Sequence, residues 1–135
     1  MNNPDLAADY LRRAQARLAA IDVLFDAESW PDVVREAQEV VELTLKGCLR
    51  HFGIDPPRIH DVSDVLRAGR DRFPPALAAD IDRLAAISKD LRRDRELAFY
   101  GAEDLTPSDF YARSDAEGAR DGARFVVRVV GESVA

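Results

Sequence analysis

Arg92, Arg93 and Arg95 crowd the end of a helical run that passes into Phe99, Tyr100 and a glycine stop at Gly101. A guanidinium is a planar fork of donors suited to carboxylate or phosphate, so this end has the makings of an anion site for a nucleotide or an RNA phosphate. Asp90, Asp94 and Glu96 alternate with the arginines, and the competing reading is a solvated face whose charges balance. A second place for chemistry is His60-Asp61, which reads either as a helix cap with Asp61 accepting free amides or as an imidazole–carboxylate pair for proton transfer. His51 closes a helical run, where its charge favours the helix dipole.

Several chemistries find no residues to carry them. His51 and His60 are the two histidines, and neither has a Cys, His or carboxylate partner at helical ligand spacing for a metal. There is no nucleophile turn and no glycine loop to cradle phosphates. Cys48 is alone in an apolar run, without a partner for a disulfide, and reads as a small core residue. A formal charge of -6 argues against a surface that holds nucleic acid by general phosphate attraction. The early apolar stretch from Ala7 to Phe25 is interrupted by Arg12, Arg13, Arg17 and Asp22, so no signal peptide or membrane span is expected, and the reading is a cytoplasmic protein that needs no cofactor.

The elements that must position these residues are helices. Asn3-Pro4-Asp5 starts the first, which runs to about Ala27 with Leu6, Tyr10, Ala14, Leu18, Ile21, Leu24 and Phe25 on one stripe. Ser29 is placed to cap a second helix from about Pro31 to Phe52, ended by Gly53. Within it Glu42 and Lys46 stand four apart in the favourable order, a solvated pair worth about 0.3–0.5 kcal/mol. A short third helix begins near His60-Asp61 and ends near Gly69. The fourth runs from about Pro75 to Phe99 on Leu77, Ile81, Leu84, Ile87, Leu91 and Ala98, a stripe that carries Arg95 inward beside Leu91. Residues 101–111 form a loop whose Phe110 and Tyr111 pack back, and Ser114 with Glu117 has capping-box spacing for a last helix through Val130. The expected fold is all-α: four main antiparallel helices in an up-down bundle plus one short helix, with residues 1–135 as a single domain.

Read together, Tyr10-Leu11-x-x-Ala14, Ala37-Gln38-x-x-Val41-Glu42-Leu43-x-Leu45-Lys46-x-x-Leu49, Gly53 with Pro57-x-x-His60-Asp61, Arg95-x-x-Ala98-x-Tyr100-Gly101 and the closing Ser114-Asp115-Ala116 helix resemble the HEPN family. The resemblance covers most of the chain. It implies a small helical bundle, association with nucleotides or RNA, homodimers, and pairing with a minimal nucleotidyltransferase in toxin–antitoxin operons. Catalytic members are metal-independent ribonucleases in which an arginine steadies the phosphate transition state and a histidine four to six residues later moves the proton. If Arg93 is that arginine, Ala98 stands where histidine is expected and Tyr100 matches the tyrosine beyond it; if Arg95 is, Tyr100 stands there. Both registers lack an imidazole, and a tyrosine with a pKa near about 10 carries protons poorly at neutral pH. In the branch where this helix ends arginine, two residues, alanine, aspartate, tyrosine, Phe99 here replaces the aspartate.

The leading expectation is a non-catalytic module that binds a partner protein such as a minimal nucleotidyltransferase, or a nucleotide or RNA, through Arg93, Arg95 and Tyr100 with His60 at the margin. The alternative is a ribonuclease in which His60 or Tyr100 replaces the missing histidine beside Arg93 or Arg95. A third reading is a purely structural homodimer.

Overall fold

A computed structural model describes the backbone of residues 4–100 and 106–134 and the side chains of residues 4–92 and 106–134. Its elements are helices: α1 (Pro4–Asp26), α2 (Trp30–His51), α3 (Ser63–Ala68), a 3-10 turn (Arg70–Arg72), α4 (Pro75–Ala78), α5 (Ile81–Tyr100), α6 (Pro107–Phe110) and α7 (Arg113–Val134). No strand occurs among the described residues.

The four long helices form the bundle, with α2 in the middle and α1, α5 and α7 packed around it. Their directions follow from which residues meet. Arg17 of α1 pairs with Glu36 of α2 at 2.9 Å, while Gly47 of α2 lies against Tyr10 and Leu11, so the two helices run oppositely. Asp22 of α1 meets Arg124 of α7, and Phe25 lies under the Arg120 guanidinium, again an antiparallel pair. The central position explains why α2 buries so much of its circumference: Val33, Val34, Ala37, Val40, Val41, Leu45, Cys48 and Leu49 are all sealed. A helix with apolar neighbours on three sides needs a wider apolar surface than the single stripe of a peripheral helix. Cys48 sits wholly inside this core, and burial pushes its thiol up to about 12.

The second helix ends as its glycine requires. Gly53 takes φ +77°, its N–H donates to the Arg50 carbonyl, and the Ile54 N–H reaches back to Leu49, the paired bonds of a Schellman cap.

Four local expectations are corrected. Ser29 makes no side-chain cap; its hydroxyl bonds the Asp32 carboxylate instead, and its backbone carbonyl accepts from Val33. The expected fourth helix is two helices, because α4 packs on α7 while α5 runs along α2, and one straight rod cannot follow both partners. At the break the Asp80 carbonyl accepts the first bond of the next helix, from Leu84. The last helix starts at Arg113, and it is Asp115 that reaches back to the Ala112 N–H at 2.8 Å, so the reciprocal half of a cap forms two residues earlier than Ser114 suggested. Residues 107–110 are a helical turn rather than loop; Tyr111 packs into the core, whereas Phe110 stays half-exposed against its ring edge.

Candidate functional site

The polar residues that converge lie between α2, the loop before α3, and α5. Gln38, Glu42 and Lys46 stand at successive i, i+4 positions of α2, so one face of the helix carries all three. Glu42 is the hub. Gln38 Nε2 donates to it at 2.9 Å, Lys46 Nζ at 2.9 Å, and His60 Nδ1 lies 2.7 Å from Oε1. Only 15% of the Glu42 side chain is exposed, and 16% of Lys46. The pair read from sequence as solvated is therefore half-buried and part of a network. Burial pushes the Glu42 carboxyl up, but the hydrogen bonds of Lys46, His60 and Gln38, with the nearby Lys46 charge, outweigh it and hold the carboxyl below its ordinary value.

An ionised carboxylate can only accept, so His60 presents Nδ1–H to Glu42 and leaves Nε2 uncommitted to that bond, on a side chain 39% exposed. A carboxylate that sets the tautomer and orientation of an imidazole is the arrangement general bases use. The partner is Glu42, eighteen residues away, not the adjacent Asp61.

Asp61 is not the cap of α3: the N-cap position falls on Val62, which makes no side-chain cap, and Asp61 supplies an acceptor from one residue earlier. Its Oδ1 accepts the Ser63 N–H at 2.9 Å and the Ser88 hydroxyl at 3.2 Å, and Ser88 Oγ in turn accepts the Val62 N–H. Ser88 is buried on α5, so this ring of bonds moors the His60 loop to that helix. Along α5, Arg92 stands about 6 Å and Arg95 about 10 Å beyond Ser88 at the ordinary helical rise. Arg93, Arg95 and Tyr100, the proposed ligand residues, belong to the last turns of α5, and their side chains lie outside the described residues. The same holds for the inward placement read for Arg95.

Gln38 and Ser88 were missed as network members by the sequence reading. The signal for Gln38 was its place among Ala37, Val40 and Val41, where a lone amide on an apolar helix must find a partner. Ser88 gave none, because its partner comes from a loop distant in sequence. His51 stands at the far end of α2, its ring edge-on to Phe52, which in turn meets Phe73 ahead of α4. Among the described residues no cluster of three His, Cys, Asp or Glu could hold a metal ion, and no helix is long and apolar enough to cross a membrane.

Comparison with known families matches residues 7–133 to the HEPN domain. No curated protein and no solved structure matches the chain.

Proposed function

We propose, from the premise that this chain belongs to the HEPN family, that it is a non-catalytic module which binds a partner protein through the end of α5. Arg93, Arg95 and Tyr100 supply the contacts, and His60 stands at their border. The observation that carries this reading is where the two imidazoles are. His51 closes α2 and His60 is tied to Glu42, so neither stands on α5, where Ala98 and Tyr100 occupy the two positions that would hold a histidine. A net charge of -6 further favours a cationic protein surface over a polyphosphate chain, and a minimal nucleotidyltransferase is the partner that family membership nominates. A nucleotide or RNA is the other ligand class in keeping with the arginines.

One observation favours a second reading, a metal-independent ribonuclease. The Glu42–His60 pair is an oriented imidazole whose second ring nitrogen is not used by that pair, on a loop moored to α5. If that nitrogen takes the 2′-hydroxyl proton while Arg93 or Arg95 steadies the phosphate, the missing helical histidine has been replaced.

Metal-free cleavage of a mixed RNA pool separates the two. The binding reading expects the wild type to cleave no faster than Arg93→Ala, Arg95→Ala and His60→Ala prepared identically. Wild-type cleavage that falls about 10²- to 10⁴-fold in His60→Ala, the usual cost of removing a general base, transfers the conclusion to the ribonuclease.

A further inference from the structure

We infer that the face of α2 between Tyr10 of α1 and the His60 loop is a binding site for a single phosphate group. This goes beyond the partner-binding reading and does not rest on it. Lys46 and Arg50 continue the i, i+4 row of Gln38 and Glu42 along α2. The Arg50 guanidinium lies 5.6 Å over the Tyr10 ring, and Lys46 is joined to His60 through Glu42, so the row runs from α1 to the loop. Gly47 carries no side chain where a Cβ would stand 3.2 Å from that of Tyr10, so the α1 wall closes directly on α2.

Donors outnumber acceptors in this row. The two Glu42 oxygens already take Gln38, Lys46 and His60. An ammonium has three N–H groups and accepts nothing, so Lys46 keeps two donors that no described residue takes, on a side chain only 16% exposed. The Arg50 Nε–H is buried and has no partner among the described residues either. The exposed Asp55 senses the Arg50 charge without an ion pair to it. Donors held out of water without acceptors are costly, and an oxyanion relieves several of them at once. A carboxylate offers two oxygens in one plane, whereas a phosphate offers oxygens at tetrahedral corners, which suits a lysine and an arginine that arrive from different points of the row. With the Lys46 charge matched by Glu42, the Arg50 charge is left over. That balance fits one phosphate rather than a polyanionic chain, in keeping with a net charge of -6.

The probe is inorganic phosphate, titrated at constant ionic strength and followed by the NMR shifts of backbone amides, with acetate as counter-probe and glycerol phosphate as an ester of the same group. The wild type is expected to show saturable shifts centred on Lys46, Gly47, Arg50 and His60 with phosphate and none with acetate. Arg50→Gln should weaken binding about tenfold, the scale of one hydrogen bond between charged groups. Lys46→Met should weaken it at least as much, but it also takes a donor from Glu42 and can disturb the fold. Arg50 is paired with no carboxylate, so Arg50→Gln with native circular dichroism carries the decision. Arg124→Gln, an equal charge change on the exposed side of α7, should leave binding unchanged. Tighter binding of glycerol phosphate assigns the site to a phosphate ester and weaker binding to the free ion, and either outcome keeps the site. No saturable shift, an equal response to acetate, or equal weakening in Arg124→Gln overturns the proposal. So do shifts that persist in Arg50→Gln and vanish in Arg95→Ala, which would place the phosphate at the end of α5.

Discussion

Glu42 shows how a single side chain acquires a role from its surroundings. Alone on a helix it is one half of an i, i+4 pair with Lys46; in the fold it accepts from three side chains at once. Glu42→Gln removes the charge and turns one accepting oxygen into a donor that faces other donors. The expected loss at neutral pH is about 1–3 kcal/mol, the range for disturbing a half-buried charged hydrogen-bond group. The folded carboxyl lies below its ordinary value, so its stabilisation is fully present above the unfolded value of about 4.5 and fades as pH falls through the lower, folded one. Urea unfolding of wild type and variant between neutral and strongly acidic pH should show two curves that converge in acid; a gap that is constant with pH would mean the carboxylate charge is not what holds the network.

Among the elements, two glycines inside helices test whether packing or propensity dominates. Gly118 of α7 faces open space, so Gly118→Ala removes only backbone freedom from the unfolded chain and should raise stability by about 0.5–1 kcal/mol. Gly47 of α2 is buried, and a Cβ there would stand 3.2 Å from both the Tyr10 Cβ and Leu11 Cδ2 of α1. Gly47→Ala must push α1 away and should cost about 1–3 kcal/mol, the price of overpacking a filled core. Thermal melts of the two variants should shift in opposite directions. The same element scale explains the break at Ala79-Asp80: a run with ordinary helix formers reads as continuous, and only the competing demands of α2 and α7 divide it.

For the molecule as a whole, the core formed by α1, α2, α5 and α7 determines what solvent can reach. Cys48 is fully buried and its thiol is held near 12, so little thiolate exists to react at neutral pH. Labelling by a disulfide reagent should be far slower than for an unfolded control, with a rate that follows denaturant as global unfolding does. Fast labelling in native buffer would mean that α2 opens locally and the core is not one cooperative unit.

Much of this architecture was legible from residue order. Apolar residues at three- and four-residue spacing predicted the long helices, and Gly53 predicted the end of α2, because helical periodicity and the left-handed cap are local properties carried by the residues themselves. Family membership was legible in the same way, from motifs spread along the chain. What the tertiary structure decided is which polar residues meet. Gln38, Glu42 and Lys46 on α2, His60 on a loop and Ser88 on α5 acquire partners only when helices separated in sequence come together. The choice of Glu42 over Asp61 as the partner of His60 is of that kind. So is the groove between α5 and α7, to which each of the two helices brings an aspartate. The physical reason is common to both: backbone periodicity acts over a few residues, whereas hydrogen bonds and electrostatic fields depend on distances that packing alone sets.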